Sequence, residues 1–289
     1  PRSPQELPKR APKPAHTIDI RALHKYAYDT HAGEPNSWTN TQLRDIVALG
    51  LWTLTACRPE DLHAHLMRNQ IFFTKDGHTE SDLAGAKYLR VRFKNDKTNR
   101  SLFYQAGQDP ECDPVNILQN PSLSAEGQYG VILLFPVQKI ERPGVPEYFK
   151  AIDEYFKRHQ GVFEDKGQDM TLFFDPKTKR KYHASTVSNA IQRIMDASKC
   201  AFGGEKPRAK HIRHSVLSLD NMHPEHRKTQ YYRARHNKAT FIKDYKMDIH
   251  PELKIFSLSE GFEELTVTQL HFCIGKISAP SLINAEKKK

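Results

Sequence analysis

The sequence is poor in cysteine and lacks long apolar runs. Only four cysteines occur among its 289 residues, and no two of them form a C-x-x-C pair. That spacing argues against a disulfide framework and against a cysteine-based zinc site, and it favours a reducing compartment. The longest uninterrupted apolar run, 131–136, is far shorter than the roughly 20 apolar residues that a membrane-spanning helix needs.

Other signatures are missing as well. The chain has neither a G-x-x-x-x-G-K-[ST] phosphate loop nor a G-x-G-x-x-G fingerprint, so nothing in it predicts the use of ATP or NAD. Its 15 histidines lack the paired spacing of a zinc site, and we expect no metal. No hydrophobic leader opens the chain, and a first residue other than Met predicts a processed chain or a piece of a longer protein.

What the sequence does carry is positive charge. Lys and Arg number 44 against 34 Asp and Glu, which gives a formal net charge of +10, while 38% of the residues are hydrophobic and 10% are aromatic. This apolar content is enough for a packed core. The excess charge points to an acidic partner, with nucleic acid first and an anionic membrane surface second. The proline-rich, basic residues 1–16 are typical of an extended linker.

Hydrophobic periodicity predicts a mixed α+β fold in which helix dominates. The clearest helix covers 41–54, where apolar residues recur at helical spacing behind the cap candidates Thr39 and Asn40. Further helices are predicted from residue 18 onward and at 60–67, 146–159, 184–200 and 208–247. Strands are predicted at 70–74, 88–93 and 101–105, and the last two flank the polar turn KNDKTN as a hairpin.

Two basic segments and one tyrosine carry the functional signal. Residues 55–61 read TACRPED and 210–215 read KHIRHS, which places Arg58 and Arg213 in separate segments. His236 lies 23 residues after Arg213, and Tyr245 lies a further nine residues on. Cleaving a phosphodiester needs positive donors around the transition state, and the guanidinium group is bidentate and permanently charged. A tyrosine hydroxyl can attack phosphorus and hold the strand covalently.

These segments resemble the catalytic domain of the tyrosine recombinases, the phage-integrase type of site-specific DNA strand-exchange enzymes. The first box of that family is T-G-x-R-x-x-E, which this chain fits with Ala56 for Gly and Asp61 for Glu. The second box is H-x-x-R-H-[ST], which it fits with Lys210 for the first His. The third box places a His or Trp nine residues before the nucleophilic Tyr, as His236 and Tyr245 stand here.

The resemblance spans about residues 38–250 and implies an organisation around one catalytic domain. We expect this domain, mostly helical α+β with a small antiparallel sheet, at 17–250, between the linker 1–16 and a C-terminal tail, 251–289, that docks on a neighbouring protomer. The implied partners are double-stranded DNA and a homo-oligomer, a tetramer on two duplexes, with no membrane. The departures from the boxes indicate a divergent member, of the kind that mobilises a transposable element. It would work inside the cell on DNA, in a nucleus or in a bacterial cytoplasm or nucleoid.

The resemblance also implies a role for the central residues. Tyr245 is the nucleophile that forms a 3′-phosphotyrosyl bond, and Arg58 and Arg213 clamp the phosphate. The family's catalytic lysine lies in a β-hairpin between the first two boxes and protonates the departing 5′ oxygen. Lys97 is favoured for this role because the family often has Lys-Thr at this turn, and Lys94 stays open as the alternative.

The remaining polar residues have supporting roles in the same scheme. His236 and Lys210 donate to the phosphate or assist proton transfer, and Asp61 orients the first-box arginine through a carboxylate–guanidinium pair. His211 stays open as the equivalent of the missing first His, whereas His214 fits packing better than catalysis. The scheme needs no metal and no nucleotide cofactor.

Two other functions stay open. One is a type IB topoisomerase, which relaxes DNA with similar residues and no partner duplex. The other is a catalytically silent DNA-binding module descended from a recombinase. One motif has no place in either scheme: PKTKRKYH at 176–183 fits a nuclear-import segment, a phosphate-contact patch or a solvated basic loop.

Overall fold

The structure is a computed structural model that describes most of the chain between residues 18 and 220. The described residues are 18–31, 33–58, 61–62, 66–75, 79–94, 101–105, 115–116, 130–137, 147–167, 170–201 and 206–220. Within them the chain forms five α-helices, numbered α1 (Ile20–Thr30), α2 (Asn40–Thr55), α3 (Tyr148–Lys166), α4 (Ala184–Ser198) and α5 (Lys210–Asp220). The fold is mixed α+β and mostly helical, which confirms the predicted class. The predicted linker 1–16 and tail 251–289 lie outside the described residues.

The central element of the fold is α2. Its predicted cap is confirmed, because the Thr39 hydroxyl accepts a hydrogen bond from the N–H of Gln42 at 3.2 Å and the Gln42 side-chain oxygen accepts one from the N–H of Thr39 at 2.9 Å. Every residue from Leu43 to Thr55 is buried, since α3, α4 and α5 all pack against this helix. A helix that is buried all round belongs to the core. Both of its ends are therefore held at fixed places in the fold.

Seven strands are described, and they form two sheets. Their bounds are β1 (Ile71–Thr74), β2 (Tyr88–Lys94), β3 (Ser101–Gln105), β4 (Val115–Asn116), β5 (Gly130–Pro136), β6 (Phe174–Asp175) and β7 (Arg180–Lys181). The larger sheet has the order β1-β2-β5-β3-β4 and is antiparallel except between β3 and β5, which run parallel. β6 and β7 form a separate antiparallel hairpin.

The predicted hairpin of β2 and β3 is wrong, because β5 lies between the two strands. Leu133 of β5 is paired with Val91 of β2 on one side and with Tyr104 of β3 on the other. The sequence of β5 explains the insertion, since a continuous apolar run is typical of a strand with neighbours on both edges. β3 therefore lies two places away from β2 in the sheet.

Two predicted helix ends also differ from the structure. The helix predicted at 60–67 does not reach its end, since Met67 forms an isolated β-bridge with Thr171 instead. Conversely, α3 runs beyond the predicted end at 159, because Phe163 is still buried one turn later. The helix stops at Gly167, whose φ of +83° only glycine adopts readily.

Gly50 lets α3 approach α2 closely. A Cβ atom at Gly50 would lie 2.4 Å from Cδ1 and 2.7 Å from Cγ of the Tyr148 ring on α3. The same ring is held from its other end, because its hydroxyl is hydrogen-bonded to Nδ1 of His24 on α1. Three helices therefore meet at one aromatic side chain that has little room to move.

We expect Gly50→Ala to destabilise the fold by about 1–3 kcal/mol, since the added methyl group must displace a fixed ring. Gly161 supplies a matched control on the exposed side of α3, where a Cβ would meet nothing within 4 Å. There the change to Ala should stabilise by about 0.5–1 kcal/mol through helix propensity. Urea unfolding of both variants measures the difference, and equal effects at the two positions would contradict the close packing.

Two histidines are buried in their neutral form. Burial lowers the pKa of His24 and of His159 to about 4, and nearby Arg158 contributes at the second. His159 lies among aromatic rings, 4.6 Å from the centroid of Tyr155 and 5.0 Å from that of Phe174. Below pH 6.5 the unfolded chain binds protons that these two imidazoles in the folded chain do not, so acid favours unfolding.

The free energy of unfolding should therefore fall as the pH is lowered from about 6.5 towards 4, with each imidazole contributing about 1–2 kcal/mol by pH 5. His159→Phe keeps an aromatic ring and removes the titrating group, so it should flatten this dependence. Tyr155→Phe alters the same cluster without changing an imidazole and should keep the wild-type slope. Urea unfolding at about pH 7 and about pH 5 tests both variants, and an unchanged slope for His159→Phe would contradict the assignment.

Candidate active site

The two arginine-bearing segments meet at the end of α2. Arg213 extends from the second turn of α5, is only 5% exposed, and donates through Nη1 to the carbonyl oxygen of Ala56. Ala56 directly follows α2 and precedes Arg58 by two residues. The structure thus brings together two segments that are 157 residues apart in the chain.

A left-handed turn at Ala56 directs the chain out of the core. Ala56 has φ 46° and ψ 31°, and its N–H donates to the carbonyl of Trp52 at 2.9 Å. The hydroxyl of Thr55 donates to the carbonyl of Leu51 at 2.7 Å and accepts from the N–H of Cys57 at 3.3 Å. Thr55 therefore fastens both sides of the turn. Glycine adopts this left-handed backbone conformation most readily, which explains why the first box has Gly at the position that Ala56 occupies here.

Arg58 starts a second, shorter turn in which its backbone is held from both directions. Its N–H donates to Oδ2 of Asp61 at 3.0 Å, and its carbonyl accepts from the N–H of Asp61 at 3.0 Å and of Leu62 at 3.3 Å. Asp61 thus fixes the main chain that carries the half-buried Arg58 side chain. Its predicted pairing with the guanidinium group stays a prediction.

The start of α5 is capped by one of the predicted histidines. Nδ1 of His211 accepts from the N–H of Arg208 at 3.1 Å, and the N–H of His211 donates to the carbonyl of Arg208 at 2.7 Å. His211 is buried, whereas Lys210 is exposed at the first position of the helix. Lys210 precedes Arg213 by three residues and so lies on the same side of α5. His214, the residue after Arg213, is half-buried.

Ser215 links α5 to the first described residues of the chain. Its hydroxyl oxygen accepts a hydrogen bond from the N–H of Ile18 at 2.8 Å, and both residues are at most 1% exposed. Asp19 continues the connection by donating its N–H to the carbonyl of Cys200 at 2.7 Å. Sequence reasoning placed Ser215 in the second box but gave it no partner, because nothing in the sequence pairs residues that lie 197 positions apart.

Four predicted residues cannot be placed in this site. Lys97, His236 and Tyr245 lie outside the described residues. Lys94 is the last residue of β2, where its backbone is paired with Gly130 of β5, and its side chain also lies outside the description. The roles of the nucleophile, the third-box histidine and the general acid therefore stay predictions.

Among the described residues, no group of three or more His, Cys, Asp and Glu side chains could hold a metal ion. No described helix combines the length and apolar character that crossing a bilayer requires.

The described part of the site is suited to hold an anion. The buried guanidinium group of Arg213 contacts the end of α2, the half-buried Arg58 follows that end by three residues, and the exposed Lys210 lies one turn before Arg213 on α5. Guanidinium groups bind phosphate and carboxylate oxygens through paired N–H donors.

No protein-family model matches the chain, and no curated protein sequence matches it. Among solved structures it is similar to a crystal structure of XerA recombinase, with a TM-score of 0.47 and 13% identity over 90% of this chain and 67% of that chain. A likeness at this level carries no weight of its own, so a function has to be argued from the residues.

We expect Ser215→Ala to lower the free energy of unfolding by about 1–3 kcal/mol, because it leaves the buried N–H of Ile18 without its acceptor. Ser198→Ala is a matched control, since that hydroxyl donates to the carbonyl of Met195 in its own helix, at 3.0 Å, and makes no contact between distant segments that the structure records. Its loss should cost less than about 1 kcal/mol. Urea unfolding of the two variants measures the loss of unfolding free energy in each, and equal losses would contradict a long-range role for Ser215.

Proposed function

We propose that this chain cuts and rejoins DNA strands as a tyrosine recombinase. The observation that carries the proposal is the hydrogen bond from Arg213 to the carbonyl of Ala56, because it joins the second box of the motif to the first. Two arginines that are remote in sequence would then act on one phosphate. The family resemblance of the boxes supplies the rest, namely a tyrosine nucleophile at a fixed spacing from a histidine.

In the proposed reaction the Tyr245 hydroxyl attacks the scissile phosphorus and loses its proton with the assistance of His236 and Lys210. A phosphorus–oxygen bond to tyrosine forms, the bond to the 5′ oxygen breaks, and the strand is held as a 3′-phosphotyrosine. Lys97, or Lys94 in its place, gives a proton to the departing 5′ oxygen.

Arg58 and Arg213 stabilise the charge on the non-bridging oxygens while five oxygens surround phosphorus. The 5′ hydroxyl of a partner duplex then attacks the phosphotyrosine and tyrosine leaves, and this second step reverses the proton transfers.

The geometry at Ala56 favours an active enzyme over a silent module. The substitution of Ala for Gly is one of two departures from the boxes that support the silent alternative. Ala56 nevertheless adopts the left-handed conformation that glycine favours, so the turn before Arg58 is built as the motif requires. The other departure, Lys210, keeps a positive charge at the start of α5.

The wider assembly follows from the same proposal. Double-stranded DNA is the substrate, two duplexes are bound by a tetramer, and the tail 251–289 docks on a neighbouring protomer. The enzyme acts on DNA inside the cell, and mobilising a transposable element is the use that its divergent boxes suggest. Its basic surface binds backbone phosphates, so binding weakens steeply with salt.

The covalent intermediate gives the decisive test. We expect the protein, incubated with supercoiled plasmid and nicked duplexes and then denatured and digested, to show a nucleotide adduct on Tyr245 by mass spectrometry. Tyr245→Phe should abolish the adduct, Tyr231→Phe should retain it, and Arg213→Ala should slow its formation at least about 100-fold, as expected for lost transition-state donors.

An adduct on another tyrosine would contradict the third box, and the absence of any adduct would contradict the enzyme. Relaxation of plasmid without strand exchange, with the adduct on Tyr245, would assign the topoisomerase alternative instead.

A further inference from the structure

A group of exposed basic side chains belongs to the hairpin of β6 and β7. Residues 177–181, with the sequence KTKRK, are all exposed. We call the segment 174–183 the basic hairpin. Four cations within five residues create a positive potential that attracts a polyanion, and they bind it best when the main chain holds them in place.

The base of the basic hairpin is anchored in the core. Phe174 is 1% exposed, and its ring lies 5.0 Å from that of His159 and 5.4 Å from that of Phe163. At the other strand, the ring of Tyr182 lies under the guanidinium group of Arg44, 5.1 Å from ring centroid to carbon. Both strands are thus fixed to helices, so the turn between them projects from a rigid support.

The turn itself is closed by one aspartate. Oδ1 of Asp175 accepts from the N–H of Lys177 at 2.9 Å, and the carbonyl of Asp175 accepts from the N–H of Lys179 at 2.8 Å. Asp175 is also paired across the hairpin with Arg180. The exposed cations are therefore presented from an ordered main chain, which lowers the entropy lost when they meet a ligand.

The four cations are not equivalent. Nζ of Lys179 lies 2.9 Å from Oδ2 of Asp165 on α3, so that charge is already balanced within the protein. Lys177 and Arg180 extend the positive charge of the hairpin to solvent, and Lys181 is exposed beside them.

The basic hairpin and the pair Arg58 and Arg213, which we call the arginine site, lie at opposite ends of α2. Tyr182 holds the hairpin against Arg44 in the first turns of α2, whereas Arg58 follows the last turn of the same helix. At about 1.5 Å per residue the two places are roughly 20 Å apart along α2.

We propose that the basic hairpin binds the phosphate backbone of double-stranded DNA, away from the end of α2 at which Arg58 and Arg213 would hold the scissile phosphate. The proposal rests on the proposed function, which supplies the duplex. A nuclear-import receptor fits the hairpin less well, because reading a basic segment in extended form needs free main chain, and here the main chain at Phe174 and Asp175 is already paired with Lys181 and Arg180.

The test compares salt dependence of binding to a labelled duplex of about 30 base pairs of mixed sequence. The triple variant Lys177→Ala, Arg180→Ala and Lys181→Ala should lower the slope of log affinity against log salt by roughly two to three, as expected for three lost phosphate contacts. Lys179→Ala alone should change the slope much less, since its charge is already balanced. The matched control removes three exposed lysines elsewhere, Lys25→Ala, Lys150→Ala and Lys157→Ala, each paired with a carboxylate of its own helix or its cap.

Equal slopes for the hairpin triple variant and the wild type would overturn the proposal, and so would an equal loss in the control variant, which would mean that only net charge matters. Loss of nuclear accumulation with an unchanged slope would assign the hairpin to an import receptor instead. The adduct assay separates this proposal from the catalytic one: with saturating DNA the hairpin variant should still form the adduct on Tyr245. A hairpin effect on binding without any adduct in the wild type would refute the catalytic function and leave the hairpin assignment standing.

Discussion

The hydrogen bond from the Arg213 guanidinium to the carbonyl of Ala56 is the contact on which the candidate site depends. A permanently charged group can be buried to this extent only if its donors find partners, because water no longer solvates it. The turn at the end of α2 and the second turn of α5 must therefore keep one mutual geometry. On the other side of α5, the Ser215 hydroxyl accepts a hydrogen bond from the N–H of Ile18 and so helps to hold the helix in this position.

The burial of α2 organises the rest of the molecule in the same way. A helix that is packed on every side cannot shift along its axis without opening cavities. Gly50 and the ring of Tyr148 set its distance from α3, and the capping box of Thr39 fixes where it begins. Its two ends consequently act as fixed points roughly 20 Å apart, one beside the arginine site and the other beside the basic hairpin.

Sequence reasoning could find what depends on local spacing. The helical pattern of α2, its cap at Thr39 and the boxes around Arg58 and Arg213 all follow from residues within one or two turns of each other. What it could not find are pairings between distant segments. The insertion of β5 beside Val91 and the contact of Ser215 with Ile18 are both of this kind, because strand order and long-range hydrogen bonds leave no periodic trace.

The left-handed Ala56 shows how a motif can change while its geometry is kept. For a residue with a Cβ this conformation costs about 1–2 kcal/mol, and it persists only where neighbouring contacts determine it. Here the Thr55 hydroxyl makes hydrogen bonds on both sides of the turn. The N–H of Ala56 donates to the carbonyl of Trp52, and the carbonyl of Ala56 accepts from Arg213. The strain therefore lowers the stability of the fold and leaves the direction of the chain towards Arg58 unchanged. A departure from a sequence motif is informative about function only once the conformation at that position is known.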